Sequence, residues 1–169
     1  MTPEQAVVIF DFLLPQIETE TKTTRKLLAA VPCDKGSDYS PAGKCKTTNQ
    51  LVSHLVRTDV WFLKSMARGE FAAEPMEDFA TPAEALAYYD AELPGAIAAL
   101  KNLTPEQLAK PVQFFAWTNP NATYALFMLK HSIHHRGQLS AYLRPIGAKV
   151  PAIYGGSADE PFEATAAHS

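Results

Sequence analysis

The sequence predicts an all-α fold dominated by four long helices. A Thr-Pro-x-Glu/Gln motif occurs three times, beginning at Thr2, Thr81 and Thr104, and each copy matches a capping box with proline at the first helical position. Apolar residues recur at spacings of three and four, the period of a helix with one buried face. No part of the chain shows the sustained apolar-polar alternation of a half-buried strand.

These signals place the helices along the chain and indicate one domain. The last long helix is expected to begin at Asn119-Pro120, with Asn119 as its cap. With 169 residues, 47% of them hydrophobic, the chain is long enough for a substantial core. We expect a single domain over residues 1–160 and a flexible tail at 161–169. The predicted helices are at about 3–31, 46–67, 82–101 and 120–145, with a short helical turn at about 105–109.

Two threonines interrupt the apolar stripe of the first helix. In one interpretation, the hydroxyls of Thr21 and Thr24 bond back to carbonyls of the preceding turn. In the other, they face a polar cavity at the centre of the bundle. The stripe consists of Val7, Phe10, Leu14, Ile17, Thr21, Thr24, Leu28 and Val31.

Three histidines form the most informative pattern in the chain. His131 and His135 are four residues apart in the last helix, so their side chains share one face. His54 lies on the second helix among apolar residues that place it on the inward face. Three imidazoles packed together without a cation would leave polar atoms needing partners. We therefore predict a three-histidine metal site that leaves coordination positions open to water or substrate.

Competing metal sites match the sequence less well. The chain contains neither the His-Glu-x-x-His motif nor the Glu-x-x-His motif of di-iron bundles. His134 competes for the site because residues three apart also share a face. However, it lies about 100° around the helix from His135 and is expected at the edge of the site or in solvent. His168 falls in the tail and is not expected to contribute.

Other polar residues close to the histidines have two interpretations each. Gln138 and Tyr142 either hydrogen-bond an acceptor or line the core. Arg136 either clamps an anion or binds carboxylates and carbonyls within the fold.

Two further positions lie farther from the predicted site. Asp59 is off the face of His54, so it is not expected to act as a base, and a bond to a ligand imidazole is the alternative. Tyr154 and the Gly155-Gly156 turn either cover the open end of the bundle or tether the C-terminal segment.

The composition of the chain predicts its cellular compartment and argues against two classes of partner, nucleic acids and membranes. A net charge of −3, with 15 scattered Lys and Arg residues, gives no basic patch for nucleic acid. No run reaches the roughly 20 apolar residues needed to cross a bilayer, and the N-terminus lacks the pattern of a signal peptide. We expect a cytoplasmic protein that binds no membrane. Cys33 and Cys45 are expected to be free thiols, with a bridge between them as the alternative.

Three segments of the chain resemble the DinB/YfiT-like superfamily. They are LVSHLVRTDVWF at 51–62, His-x-x-His-His-Arg-Gly-Gln at 131–138, and LSAYLRPIGAKVPAIYGGSADE at 139–160. The resemblance implies a four-helix bundle of up-down-down-up topology, commonly a homodimer. It also implies a nickel, zinc or iron ion held by three histidines, which by position are His54, His131 and His135.

The resemblance also suggests a reaction class. Characterised members include thiol-dependent S-transferases and a mycothiol-dependent maleylpyruvate isomerase, in which the metal is thought to activate a low-molecular-weight thiol. We therefore expect a metal-dependent transferase, or a hydrolase in which water replaces the thiol. The alternative is a non-catalytic protein that binds metal, or a dimeric stress-response protein.

Overall fold

Five α-helices and a two-stranded hairpin make up the part of the chain that the structure describes. The structure is a computed structural model in which residues 1–162 are described, so His168 and most of the predicted tail lie outside the described residues. The helices are α1 (Pro3–Ala29), α2 (Thr48–Arg68), α3 (Pro82–Lys101), α4 (Pro105–Ala109) and α5 (Tyr124–Leu143). The strands are β1 (Pro111–Phe114) and β2 (Trp117–Pro120).

Most helix starts are fixed by threonine caps, as predicted. Thr2 and Thr104 each form a complete capping box with the Gln three residues later, and Thr81 accepts a hydrogen bond from the Glu84 backbone. The fourth cap was not predicted: Thr47 forms a capping box with Gln50 at the start of α2. Each cap satisfies backbone N–H groups that have no partner within the helix.

The long helices bury a shared apolar core. Helix α1 contacts α3 and α5, and α2 contacts the same two helices. Short helix α4 packs against α1, and Leu108 is its buried residue. The most deeply buried large apolar side chains are Tyr89, Phe62, Ile17, Leu27, Leu51, Leu55, Leu63, Met66, Leu100, Met128 and Leu139.

The hairpin between α4 and α5 corrects the prediction of a purely helical chain. Its strands are antiparallel, and Pro111 pairs with Pro120. Asn119 and Pro120 therefore end a strand, and the predicted helix start at these residues is wrong. Helix α5 begins at Tyr124 after a 3₁₀ turn. Each strand has four residues, too few for periodicity to reveal them.

Tertiary contacts explain why the last helix begins late. Asn121 is fully buried in the 3₁₀ turn, where its side-chain amide donates to the carbonyls of Met66 and Gln107. A buried amide needs such partners. This turn is therefore held by α2 and α4, and a continuous helix from residue 120 would break these bonds.

Three further sequence predictions concern the two thiols, the absence of a membrane-spanning helix and the bounds of the helices. Cys33 and Cys45 are both exposed and free. None of the helices in residues 1–162 combines the length and the apolar character required to span a bilayer. Helix α3 and the turn α4 have the predicted bounds, whereas α1 ends two residues early at Ala29.

Replacement of the Thr47 cap should destabilise α2. We expect Thr47→Ala to lower the free energy of unfolding by about 1 kcal/mol, because the Gln50 backbone N–H loses its acceptor. Urea-induced unfolding followed by circular dichroism would measure this change. Thr23→Ala is the matched control, because the Thr23 hydroxyl only bonds back to the Thr19 carbonyl within α1. An equal loss in both variants would contradict a capping role.

Candidate metal centre

The three predicted histidines converge on one point between α2 and α5. The Nε2 atom of His54 lies 3.1 Å from Nε2 of His135 and 3.2 Å from Nε2 of His131. All three side chains are half-buried, and the three ligand atoms lie within 4.8 Å of one another. Within residues 1–162 they are the group of His, Cys, Asp or Glu side chains whose geometry could hold a metal ion.

The nitrogen separations fit a shared metal ion. Three nitrogens about 2.1 Å from one ion are about 3.0 Å apart on an octahedral face and about 3.4 Å apart in a tetrahedron. The measured separations of 3.1 and 3.2 Å fall between these values. Without an ion, His54 Nε2 would have to serve two neighbours with a single proton or a single lone pair. The donor set therefore fits a cation better than mutual hydrogen bonding.

Burial keeps the imidazoles neutral. Burial is the main cause and the neighbouring His135 the second, and together with smaller effects they lower the pKa of His54 to about 4 and the pKa of His131 to about 3. Burial also lowers the pKa of His135. Neutral imidazole is the form that offers a lone pair to a metal. The three side chains are thus in the ligating form at pH 7.

Gln138 orients the most exposed side of the triad. Its Oε1 atom lies 2.8 Å from Nδ1 of His135, and its Nε2 atom lies 3.0 Å from Nε2 of His134. Because Oε1 only accepts, His135 Nδ1 carries the proton and His135 Nε2 keeps its lone pair. Gln138 thus supports a triad histidine, a role that neither sequence interpretation proposed.

His134 lies outside the convergence point, as predicted. It is exposed and contacts the triad only through its ring, which is 4.9 Å from that of His135. The two residues are adjacent in sequence and therefore point in different directions around α5.

A loop before α2 approaches the same side of α5. The Tyr142 hydroxyl donates to the backbone carbonyl of Lys46, and the Tyr39 ring packs edge-on against Tyr142 at 5.7 Å. Burial is the main reason for the low pKa of His54, and the Lys46 ammonium lowers it further. Tyr142 therefore holds a positive charge near the triad, whereas the sequence suggested core lining or acceptor binding.

Beneath the triad lies a set of buried polar side chains that sequence reasoning did not assemble. Asp59 of α2 is completely buried. Its Oδ2 atom accepts hydrogen bonds from Tyr89 of α3, at 3.2 Å, and from Ser132 of α5, at 2.9 Å. The Ser132 hydroxyl lies 3.3 Å from that of Thr24 in α1. Together with Arg136, these residues form what we call the buried polar network, and it joins all four long helices.

Arg136 has the structural role rather than the anion-clamp role. Its side chain is 1% exposed, and it donates to the Glu20 carbonyl at 3.0 Å and the Thr24 hydroxyl at 3.3 Å. It also contacts the Glu20 carboxylate and the Tyr154 hydroxyl. Tyr154 in turn donates to Glu20 at 2.8 Å. The tethering interpretation of Tyr154 is therefore confirmed.

The two threonines of α1 differ in role. Thr21 bonds back to the Ile17 carbonyl at 2.8 Å, whereas Thr24 faces Ser132 and Arg136. Both sequence interpretations thus apply, one to each residue. Asp59 likewise contacts Tyr89 and Ser132, and within residues 1–162 it makes no hydrogen bond to a triad imidazole, so that alternative is wrong. Asp59 and Thr24 are each recognisable in the sequence as polar residues within apolar stretches, but only the fold shows that both contact Ser132.

Comparison with known proteins places the chain in a family. The DinB family model matches residues 10–164. The chain belongs to the DinB family. It is 28% identical over 154 residues to the uncharacterized protein YrdA of Bacillus subtilis (strain 168), covering 89% of this chain and 90% of that protein.

Solved structures of DinB-like proteins share the fold. One, from Bacillus cereus ATCC 10987, superposes with a TM-score of 0.71 at 25% identity, covering 84% of this chain and 95% of that chain. The DinB-like protein YjoA of Bacillus subtilis superposes with a TM-score of 0.67 at 20% identity, covering 83% and 96%. The chain thus has a DinB-like, mostly helical fold with a small two-stranded sheet.

The buried carboxyl of the network should make stability pH-dependent. Burial raises the pKa of Asp59 to about 7, against the opposing effect of hydrogen bonds from Ser132 and Tyr89. Because this exceeds the unfolded value of 3.8, protonation favours the folded state. The stabilisation of the folded state by protonated Asp59 is complete below pH 3.8 and is lost as the pH rises through about 7.

Asp59→Asn tests this dependence, because the amide keeps an acceptor for Ser132 and Tyr89 but cannot ionise. We expect the variant to gain stability relative to the wild type as the pH rises from 4 to 8, by as much as about 4 kcal/mol. Urea unfolding at a series of pH values measures this difference. Asp90→Asn, which removes a carboxylate paired with Arg25 at the surface, controls for loss of one charge. Parallel profiles for the wild type and Asp59→Asn would refute a buried, titrating carboxyl.

Proposed function

We propose that this protein binds a divalent transition metal, nickel, zinc or iron, through His54, His131 and His135, and is a metal-dependent enzyme. The reaction class is transfer of a low-molecular-weight thiol to an electrophile, with metal-assisted hydrolysis as the variant that uses water. The observation that carries the proposal is the convergence of three neutral imidazole nitrogens on one point.

The composition of the site favours reactivity over a structural role. A structural zinc site has four protein ligands, whereas reactive sites leave at least one position for water or substrate. Within residues 1–162, three side chains form the group, and each is only partly buried. A divalent ion, when bound, lowers the pKa of a thiol or water that it contacts. Cys33 and Cys45 are not members of the triad group, which supports a nucleophile that a cosubstrate supplies.

The chain's own residues have positioning roles in this scheme. Gln138 holds the His135 ring so that Nε2 faces the site. The Ser132–Asp59 bond fixes α5 against α2, which sets the distance from His131 to His54. The Lys46 ammonium is close enough to lower the pKa of His54 and His135, and at that place it attracts anionic cosubstrates.

The architecture implied by the resemblance is part of the proposal. It comprises a single domain over residues 1–160, a four-helix bundle of up-down-down-up topology, a homodimer and a cytoplasmic location. The contacts of α1 and α2 with both α3 and α5 support the bundle. The network that joins the four long helices supports a single domain.

Removal of one ligand should release the metal without unfolding the protein. We expect His54→Ala to bind nickel or zinc at least about 100-fold more weakly. Replacement of a residue that only hydrogen-bonds a metal ligand already lowers metal affinity by about 10- to 100-fold. Helix content should be retained, because apolar packing supplies most of the stability. Elemental analysis of untagged protein would measure the metal content, and metal titration would measure the affinity.

His134→Ala is the matched control, because this neighbouring histidine lies outside the convergence point. Unchanged affinity in His134→Ala together with a large loss in His54→Ala would support the triad. Equal losses would contradict it. Complete unfolding of His54→Ala would indicate a structural metal instead.

Turnover separates the catalytic proposal from its alternative. Metal-loaded protein would be assayed with bacillithiol, mycothiol and glutathione against a panel of electrophiles, and for hydrolysis. We expect activity that is lost in His135→Ala and kept in His134→Ala. Stoichiometric metal without activity in any of these assays would favour the non-catalytic metal-binding or dimeric stress-response alternative.

A further inference from the structure

An aromatic cleft lies one helical turn from the triad, where β2 meets the start of α5. It has a volume of about 410 Å³, within the size range of small-molecule sites. Trp117 and Phe127 are 56% and 38% exposed, and Leu126 is 44% exposed. We call this feature the aromatic cleft; its lining includes Trp117, Asn119, Tyr124, Leu126, Phe127 and Lys130.

The cleft is continuous with the candidate metal centre through Phe127. Phe127 and His131 are four residues apart on α5 and therefore share a face. Phe62 packs beneath both: its ring is stacked 5.4 Å from the ring of Phe127 and lies 6.3 Å from that of His131. A small molecule seated against Phe127 would thus extend along α5 toward the triad.

The wall formed by the hairpin is held in place. The Tyr124 hydroxyl donates to the Val112 carbonyl at 2.8 Å and reaches the Trp117 carbonyl at 3.5 Å. The Trp117 and Phe127 rings lie 6.2 Å apart, and Phe114 contacts both rings from below. A pre-formed wall needs little ordering when a ligand binds, which favours affinity.

The charge of the lining limits the class of ligand. Lys130 is the charged residue of the lining, it is exposed, and it belongs to none of the ion pairs formed within residues 1–162. Its ammonium is therefore available to an anion. The aromatic walls supply flat apolar surface, on which planar rings stack favourably.

We propose that the aromatic cleft binds a small, planar apolar molecule that carries an anionic group, and that this molecule is the electrophilic acceptor of the proposed reaction. Its ring lies against the exposed surface that Trp117 and Phe127 share, and its anionic group pairs with Lys130. The assignment as acceptor rests on the proposed function, whereas the binding site itself does not. The shape and the single charge favour this occupant over a second protein chain.

Binding can be measured without the metal. The probes are 2-naphthoate, the neutral 2-naphthalenemethanol and the non-aromatic cyclohexanecarboxylate, each titrated into chelator-treated protein by calorimetry. We expect 2-naphthoate to bind more tightly than either comparison compound. Use of metal-free protein prevents the carboxylate from binding an ion in the triad, so the cleft alone is tested.

Variants of the lining identify the site. We expect Phe127→Ala to weaken 2-naphthoate binding by about 10-fold. Lys130→Gln should weaken 2-naphthoate by about 3-fold and leave 2-naphthalenemethanol unchanged. Phe127→Leu keeps the apolar volume and the fold but should remove the preference of the cleft for a planar ring. Phe115→Ala is the matched control, because Phe115 is 80% exposed at the hairpin tip and is not part of the lining.

The possible results separate this inference from the proposed function. No binding of 2-naphthoate at millimolar concentration would overturn the inference, even if metal binds the triad. An equal loss in Phe115→Ala and Phe127→Ala, or protein self-association that these substitutions abolish in sedimentation, would also overturn it and indicate a protein-binding patch. If 2-naphthoate binds to the cleft but a separate metal titration shows that the triad binds neither nickel, zinc nor iron, the inference stands while the proposed function fails.

Discussion

The buried carboxylate of Asp59 and its partners constrain the rest of the molecule. A carboxyl group that is fully removed from water must find hydrogen-bond donors inside the protein, because otherwise its desolvation is uncompensated. Its donors come from α3 and α5, and Thr24 of α1 extends the chain of bonds. Hydrophobic burial is not directional, whereas these hydrogen bonds are, and they therefore favour one arrangement of the four long helices.

The consequence for the candidate metal centre is geometric. Ser132 and Arg136 follow His131 and His135 by one residue, so α5 presents two neighbouring stripes, one of imidazoles and one of network residues. The bonds of Ser132 to Asp59 and of Arg136 to Glu20 therefore fix the rotation and the height of α5. Three ring nitrogens then meet within the separations that a single ion requires, and burial keeps their pKa values low enough for neutrality.

The surroundings of the triad differ on its two sides along α5. Toward the C-terminal end, Gln138, Tyr142 and the Lys46 ammonium provide polar contacts and positive charge. Toward the N-terminal end, Phe127 and the hairpin provide apolar ring surface. In the transfer reaction that we propose, these two sides would hold two reactants of different character next to each other. Membership of the DinB family indicates the fold, whereas the function has to be argued from the side chains around the triad of this chain.

Local chemistry determined much of this protein directly from its sequence. Threonine caps at Thr2, Thr81 and Thr104 and the helical spacing of apolar residues fix the helix starts, because both depend on residues within one or two turns. The i, i+4 pair His131 and His135 likewise follows from helix geometry, and the inward face of α2 indicated His54. The family-typical segments add the identity of the fold.

Only the tertiary structure decided the features that depend on partners distant in sequence. Four-residue strands gain their stability from pairing, so the hairpin was invisible, and the buried amide of Asn121 moved the start of α5 past the predicted cap. Asp59 looked remote from the site because its partners lie on other helices. The choice between two roles for Arg136, and between two for Thr24, depended on which groups the fold brought within hydrogen-bonding distance, and spacing along one helix carries no information about that.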